Sequence, residues 1–209
     1  MARARVVLQF VHCDKTTELA HDELYVMVGS KHGDDKISSH VVPGANNGDA
    51  GDEHSCWDIN DSGSLQNRWL RAIIYDADLP PEAKAEIKIV FAEQDGGGVK
   101  QAVAAAATLA NAVGTAVAPA KIVGIALEAL SKLIPKNADD VLGGVFLTMQ
   151  NSGGSLKWTV QSDEQERAKR DDATWLKDKN ITAGLGEGFC LQLNGDGARY
   201  QAYLNLYLT

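Results

Sequence analysis

The chain has 209 residues, of which 44% are hydrophobic, and its formal net charge is -8 with a pI near 5.1. This length supports one well-buried domain with an elaboration rather than two full domains. The acidic balance and the lack of a Lys and Arg cluster argue against nucleic acid as a partner. The same charge opposes contact with an anionic membrane unless a multivalent cation lies between the two surfaces.

The cysteines and the amino-terminal residues bear on localisation. Cys13, Cys56 and Cys190 are odd in number and far apart in sequence, so they do not indicate a disulfide framework, and a reducing compartment fits best. The opening residues reach Gln9 and His12 before any apolar stretch attains signal-peptide length, which predicts a first strand. We expect a cytoplasmic protein, or one exported without a classical signal peptide.

Alternation of apolar and other residues is the recurrent signal along the chain. It is clearest over 22–28, 85–91 and 200–208, where every second residue is apolar, as a half-buried strand requires. Turn-forming clusters of Gly, Asn and Asp separate the candidate strands. The sequence lacks the regular alternation of strands and helices that is typical of a parallel sheet. The sequence predicts a mainly β protein, an antiparallel β-sandwich of about eight strands, with candidates at 4–11, 22–28, 37–42, 69–75, 85–91, 142–149, 156–161, 188–193 and 200–208.

Two segments depart from this strand pattern. Residues 163–179 are highly charged and predict a solvated loop or short helix, held to the body by Trp175 and Leu176. Residues 99–134 are rich in Ala and Leu, lie between a Gly run and Pro135, and are divided by Pro119. We therefore expect an α-helical hairpin over 98–135, inserted into a single β-sandwich domain that spans 1–209.

The alanine-rich segment also permits a membrane interpretation. Residues 102–120 carry no charge, and their number is close to the ~20 apolar residues that a membrane-spanning helix needs. Alanine nevertheless supplies little driving force for insertion compared with Leu, Ile, Phe and Val, whereas small residues allow close packing on a helix or sheet. A hairpin packed against the sandwich is therefore favoured over one that inserts into a membrane.

Acidic residues border the insertion on both sides. Glu93 and Asp95 precede it, and Asp139 and Asp140 follow it. If the two flanking strands are neighbours, these carboxylates lie close together, which is electrostatically costly without a cation. Ca²⁺ binds six to eight oxygen ligands and suits loops rich in Asp, Asn and Gly, so it is the expected cofactor.

Three stretches resemble parts of C2 domains, which are calcium-dependent, lipid-binding β-sandwiches. HDELYVMV at 21–28 resembles the family's "SDPYVKV" stretch, and AEIKIVFAEQD at 85–95 with NADDVLGGVFL at 137–147 resembles its paired acidic-loop pattern. The chain departs from the family at Glu23, where the family has Pro, at Glu93, where it has Asp, and in the long insertion. The resemblance implies metal ligands at Asp22, Glu93, Asp95, Asp139 and Asp140, with Asp14 as a further candidate.

The acidic residues also have a purely structural interpretation. Asp22 would cap a turn, and Asp139 and Asp140 would begin a strand after Pro135. Other metal or catalytic sites find less support. His54 and Cys56 lack a second ligand pair for zinc, and no nucleophile elbow, phosphate loop or zinc-protease motif is present.

Two sets of residues keep further functions open. Asp76 and Asp78 could in principle serve a glycosidase, although nothing in the sequence fixes their spacing. Tyr203 and Tyr207 are the expected exposed aromatic pair, with Tyr200 facing inward, and such residues could contact carbohydrate. Most aromatic residues of this kind are core residues. Because no catalytic motif is present and the spacing of the two carboxylates is not fixed, we expect that the chain is not an enzyme.

Three functions follow from these expectations. The first is a non-enzymatic, calcium-binding, C2-like module that docks to a phospholipid membrane surface or a partner protein through acidic loops. The second is a membrane-inserting or toxin-like protein that uses the hairpin. The third is a calcium-linked structural subunit that self-assembles into a homo-oligomer.

Overall fold

The computed structural model describes residues 2–15, 24–32, 36–42, 72–94, 106–108, 111, 139–162, 168–171, 187–195 and 198–209. These residues form ten β-strands and part of one helix. The strands are β1 (Arg3–Lys15), β2 (Leu24–His32), β3 (Lys36–Val42), β4 (Ala72–Asp78), β5 (Lys84–Gln94), β6 (Asp139–Ser152), β7 (Ser155–Ser162), β8 (Ala168–Asp171), β9 (Gly188–Gly195) and β10 (Ala198–Leu208).

The strands form two antiparallel sheets of five strands each. Sheet A has the order β4-β1-β10-β9-β8, and sheet B has the order β3-β2-β5-β6-β7. All strand pairs are antiparallel. One buried apolar cluster takes residues from both sheets, so the described strands form a β-sandwich, as the sequence predicts.

Alternation determines which residues enter this common core. Leu24, Val26 and Val28 of β2 lie in it, as predicted. In β10 the core residues are Tyr200, Ala202, Leu204 and Leu206, again every second residue. Burying alternate apolar side chains between two sheets is the main stabilising contribution expected for such a fold.

Each of the nine predicted strands corresponds to an observed one, and β8 is the strand that the sequence analysis missed. The prediction of a loop or short helix over 163–179 is wrong for Ala168–Asp171. This short, charged segment is an edge strand that pairs with β9 from Ala168↔Leu193 to Asp171↔Cys190. Its strand conformation comes from backbone pairing rather than from an apolar pattern, and charge is typical of edge strands.

Sheet B is buried on both faces at its centre, whereas alternation predicts a half-buried strand. Tyr25 and Met27 of β2 face away from the common core, yet only 5% and 0% of their surfaces are exposed. The alternating pattern therefore identifies the core-facing side of β2 and does not predict the burial of its other side.

A β-bulge interrupts the pairing of β5 with β6 close to the start of β6. Phe91 pairs with Gly143 while Ala92 pairs with Val141, so Leu142 is the extra residue. Gly143 has φ 144°, a backbone conformation that side chains disfavour. Glycine therefore permits the bulge three residues after Asp140.

The predicted hairpin over 98–135 falls mostly outside the described residues. Residues 106–108 and 111 are helical, and Ala106 is buried. Among the described residues, no helix has both the length and the apolar character needed to cross a membrane.

Candidate calcium site at the acidic end of the sandwich

The start of β2, the end of β5 and the start of β6 lie at the same end of sheet B, next to the acidic residues of the sequence. We call this end of the sheet the acidic end. β2 begins at Leu24, β5 ends at Gln94 and β6 begins at Asp139. The Cα partners are Leu24↔Glu93, Glu93↔Asp140 and Gln94↔Asp139. The insertion therefore leaves and rejoins the sheet at two directly paired residues.

The register brings together the backbones of three predicted ligands, Glu93, Asp139 and Asp140. Like charges at directly opposed positions destabilise an antiparallel pair. A cation with oxygen ligands would offset this repulsion. The sequence analysis expected these carboxylates to lie close together if the strands that flank the insertion are neighbours. Those strands, β5 and β6, are directly paired.

The other predicted ligands are distributed differently. Asp22 and Asp95 lie outside the described residues, within two positions of Leu24 and Glu93 in sequence. Asp14 lies near the end of β1 in sheet A, between Cys13↔Tyr200 and Lys15↔Arg199. No group of three or more His, Cys, Asp or Glu that could hold a metal occurs within the part of the chain that the structure describes. The calcium site remains a prediction.

Asp76, considered above for acid–base chemistry, belongs to a network of charges on sheet A. Arg3 Nε donates a hydrogen bond to Asp76 Oδ1 at 2.5 Å, and Arg5 Nη2 donates to Oδ2 at 3.0 Å. Oδ1 of Asp78 lies 3.7 Å from Nη1 of Arg3. The hydrogen bond from Arg3 is the main cause that lowers the pKa of Asp76, with Arg5 contributing and partial burial opposing. Asp76 is therefore held ionised as the partner of two arginines.

The tyrosines of β10 were predicted correctly only in part. Tyr200 faces the core and is 1% exposed, as expected. Tyr203 is buried at 8% exposure and Tyr207 is half-buried, so the prediction of an exposed pair is wrong for Tyr203. Burial also raises the pKa of Tyr203.

Tyr207 is at the centre of a polar network on the outer face of sheet A. Its hydroxyl accepts hydrogen bonds from Gln9 Nε2 and Asn205 Nδ2, each at 2.9 Å. Gln9 and Asn205 are 5% and 0% exposed. Sequence analysis did not find this network, because it depends on the register of β1 with β10. The polar residues Gln9 and Asn205 within strands were the only available signal.

Two of the five histidines of the chain have described side chains. His32 makes an edge contact with Tyr75, with ring centroids 6.0 Å apart. His40 forms a hydrogen bond with the backbone of Ile74, and partial desolvation lowers its pKa. His54 and Cys56 lie outside the described residues. The two described histidines thus contact β4 rather than each other.

Comparison with known proteins yields no matching protein family, curated protein or solved structure for this chain. The resemblance to C2 domains therefore remains a prediction that depends on the quoted sequence stretches.

Proposed function

We propose that the chain is a non-enzymatic, calcium-binding module similar to C2 domains. It docks to a phospholipid membrane surface, or to a partner protein, through the acidic end. The observation that supports this proposal is the pairing of Glu93 with Asp140 and of Gln94 with Asp139. Opposed carboxylate residues at the end of adjacent strands are a reason for a Ca²⁺ ion to bind there.

Calcium would also provide the link to a membrane. A chain of net charge -8 is repelled by anionic lipid. A bound Ca²⁺ ion reverses the local charge and can be shared with lipid phosphates. In this proposal the sandwich carries the helical hairpin over 98–135 at the same end, because the insertion starts and finishes there.

Isothermal titration with CaCl₂ tests the metal. The wild type is expected to bind Ca²⁺, and an Asp139→Asn/Asp140→Asn variant is expected to lose at least tenfold in affinity while keeping its far-UV circular dichroism spectrum. Asp78→Asn is the matched control, since that carboxylate is exposed on β4 and away from the acidic end. Absence of heat for the wild type at millimolar Ca²⁺ would remove the metal from the proposal.

Pelleting with phosphatidylserine vesicles, in Ca²⁺ and in chelator, tests the docking partner. Calcium-dependent pelleting supports membrane docking, whereas calcium binding without pelleting favours a protein partner. Vesicle leakage without calcium would instead favour the membrane-inserting, toxin-like alternative.

Self-assembly is the second candidate function, and the sheet edges favour it. β3 and β4 are edge strands and carry the two exposed large hydrophobic residues of the described chain, Ile37 at 46% and Ile73 at 50% exposure. Edge strands can pair with another copy. Light scattering in Ca²⁺ and then in chelator distinguishes the two candidates, because a calcium-linked oligomer dissociates when the metal is removed.

A further inference from the structure

Within the described part of the chain, each sheet ends in two edge strands. These are β4 and β8 in sheet A, and β3 and β7 in sheet B. An edge strand turns part of its backbone N–H and C=O groups away from its neighbour, so another strand can pair with it. Charged side chains, β-bulges and very short strands oppose such pairing. The four edges differ in these features, and the differences indicate which edge can accept another chain.

Three of the four edge strands carry features that oppose pairing. β8 has only four residues, AKRD, of which three are charged. β4 contains Asp76 and Asp78, and its pairing with β1 has an irregularity between Val6 and Val7. β7 has the exposed Lys157 within the strand. A second strand on any of these edges would have to accommodate a charge or an irregular backbone.

β3 is different, because it is regular and almost free of charge. Residues 37–42, ISSHVV, contain no Lys, Arg, Asp or Glu. The pairing of β3 with β2 is continuous along all seven residues of β3. Ile37 is 46% exposed, and Ser38, Ser39 and His40 are also exposed. Of the described edges, β3 is therefore the one best suited to pair with another strand.

Side-chain hydrogen bonds hold β3 in place on the sandwich. The hydroxyl groups of Ser38 and of Ser30 on β2 are hydrogen-bonded at 2.7 Å. His40 forms a hydrogen bond with the backbone of Ile74 on β4. Both side chains lie on the same side of β3 as Val42, which packs against the core. An edge that is already held in position loses little conformational freedom when it binds.

The sequence of β3 is complementary to itself in the antiparallel direction. If Ser39 of one copy lies opposite Ser39 of a second copy, then Ile37 of each copy lies opposite Val41 of the other. The same register places Lys36 opposite Val42 and keeps the two lysines apart. Apolar residues at opposed positions stabilise an antiparallel pair, whereas like charges there destabilise it. The strand that fits this edge is therefore a second β3.

We propose that two copies of the chain pair through β3, antiparallel, about a twofold axis at Ser39. Sheet B then continues across the axis, with five strands from each copy. The twofold arrangement is closed, because each β3 covers the edge of the other. The proposal assigns an edge and a register to the self-assembly considered above. It does not require calcium, so the outcome of the calcium titration does not affect it.

Light scattering in chelator, over a range of protein concentrations, tests for this dimer. The wild type is expected to show a reversible monomer–dimer equilibrium without calcium. Ile37→Lys is expected to raise the dissociation constant at least tenfold, since a charge replaces an apolar contact that the dimer makes twice. Ile73→Lys is the matched control, because Ile73 is 50% exposed and lies on the other exposed edge strand, β4, so the dimer should persist.

Two results of this experiment would overturn the proposal. One is a wild type that stays monomeric in chelator at its highest soluble concentration. If that protein associates only when calcium is added, the calcium-linked candidate stands and the β3 dimer does not. The other is dissociation of the dimer by Ile73→Lys but not by Ile37→Lys, which would place the contact on β4.

Exchange of charge at the axis tests the register. Ser39 is exposed and pairs with Gly29 on β2, so a longer side chain at position 39 meets no side chain at the paired position. Ser39→Lys and Ser39→Glu are each expected to be monomeric, because like charges then lie directly opposite one another. An equimolar mixture of the two is expected to dimerise. Far-UV circular dichroism checks that both variants keep the fold. Dimerisation of Ser39→Lys alone, or a mixture that stays monomeric, contradicts the axis at Ser39.

Discussion

Two tyrosine hydroxyl groups in sheet A have opposite hydrogen-bonding situations. Tyr207 accepts two hydrogen bonds from the buried side chains of Gln9 and Asn205. The Tyr75 hydroxyl is buried and has no hydrogen-bond partner within the described part of the chain. Burial, with a smaller effect of Asp76, raises the pKa of Tyr75 to about 12. Removing each hydroxyl should therefore have different consequences.

Tyr207→Phe is expected to destabilise the protein by about 1–3 kcal/mol, because it leaves two buried amide donors without their acceptor. Tyr75→Phe is the matched change and is expected to be neutral or slightly stabilising, since it removes a buried polar group that lacks a partner. Urea unfolding at pH 7 measures both free energies. Equal losses in the two variants would contradict this account of the network.

The sequence predicted the inward position of Tyr200 but not the burial of Tyr203. Alternation assigns each residue to a face of its strand, which is sufficient for Tyr200 because the inner face forms the core. Whether the outer face is exposed depends on what covers it. The alternation of β10 carries no information on that coverage, so a strand pattern alone could not predict the burial of Tyr203.

At the scale of single elements, the charged residues of β1 and β4 connect an edge strand to its neighbour. Arg5 pairs with Asp76 and Arg3 with Asp78 in the register, and Asp76 accepts hydrogen bonds from both arginines. The hydrogen bond from Arg3 is the main cause that holds the folded pKa of Asp76 below the ordinary aspartate value of 3.8. Its stabilising contribution is therefore present above about pH 4 and is lost as the pH falls through the folded pKa.

Asp76→Asn is expected to lower the free energy of unfolding at pH 7 and to reduce the loss of stability on acidification below pH 4. Asp78→Asn is the control, because its side chain is 61% exposed and its Oδ1 lies 3.7 Å from Nη1 of Arg3, beyond hydrogen-bond distance. Thermal melts between pH 2.5 and 7 measure the effect. If the two variants have the same acid dependence, the network does not stabilise the edge strand.

Element prediction succeeded where alternate apolar residues enter the shared core and failed where backbone pairing alone forms the strand. The nine alternating segments were predicted because their apolar residues enter a single core. β8 has the sequence AKRD and contributes little apolar surface, so its pairing with β9 could not be inferred from pattern. The burial of both faces of β2 and β5 was likewise not predicted, because an alternating pattern identifies only the core-facing side of a strand.

At the scale of the whole molecule, His40 connects the two sheets at one edge. It lies on β3 of sheet B and forms a hydrogen bond with the Ile74 backbone on β4 of sheet A. Desolvation lowers its pKa below 6.5, with the hydrogen bond opposing the shift. The unfolded chain therefore binds a proton more readily than the folded chain. Stability from this group is complete above pH 6.5 and declines as the pH falls below it.

His40→Gln is expected to flatten the pH dependence of the melting temperature between pH 5 and 7. Ser39→Ala, an exposed neighbour on the same strand, is the control and should keep the wild-type slope. An unchanged slope in His40→Gln would show that the imidazole does not contribute to it.

The candidate site was predictable only to the extent that its strands are adjacent. The sequence indicated that Glu93, Asp139 and Asp140 converge if β5 and β6 pair, and they do pair. Asp14 lies on β1, which belongs to the other sheet. Alternation does not reveal which sheet a strand joins, so the relation of Asp14 to the acidic residues of sheet B could not be derived from sequence.

The turn between β6 and β7 is a suitable attachment site for a label or a linker. Gly153 and Gly154 have φ of 60° and 88°, are exposed, and have open space around them. β6 runs from Asp139 to Ser152, so this turn lies roughly 40 Å from the acidic residues, at ~3.3 Å per residue. A fluorophore or an immobilising linker inserted there would hold the protein with its acidic end directed away from the support. Energy transfer from that position to a labelled bilayer would then report the orientation of a docked molecule.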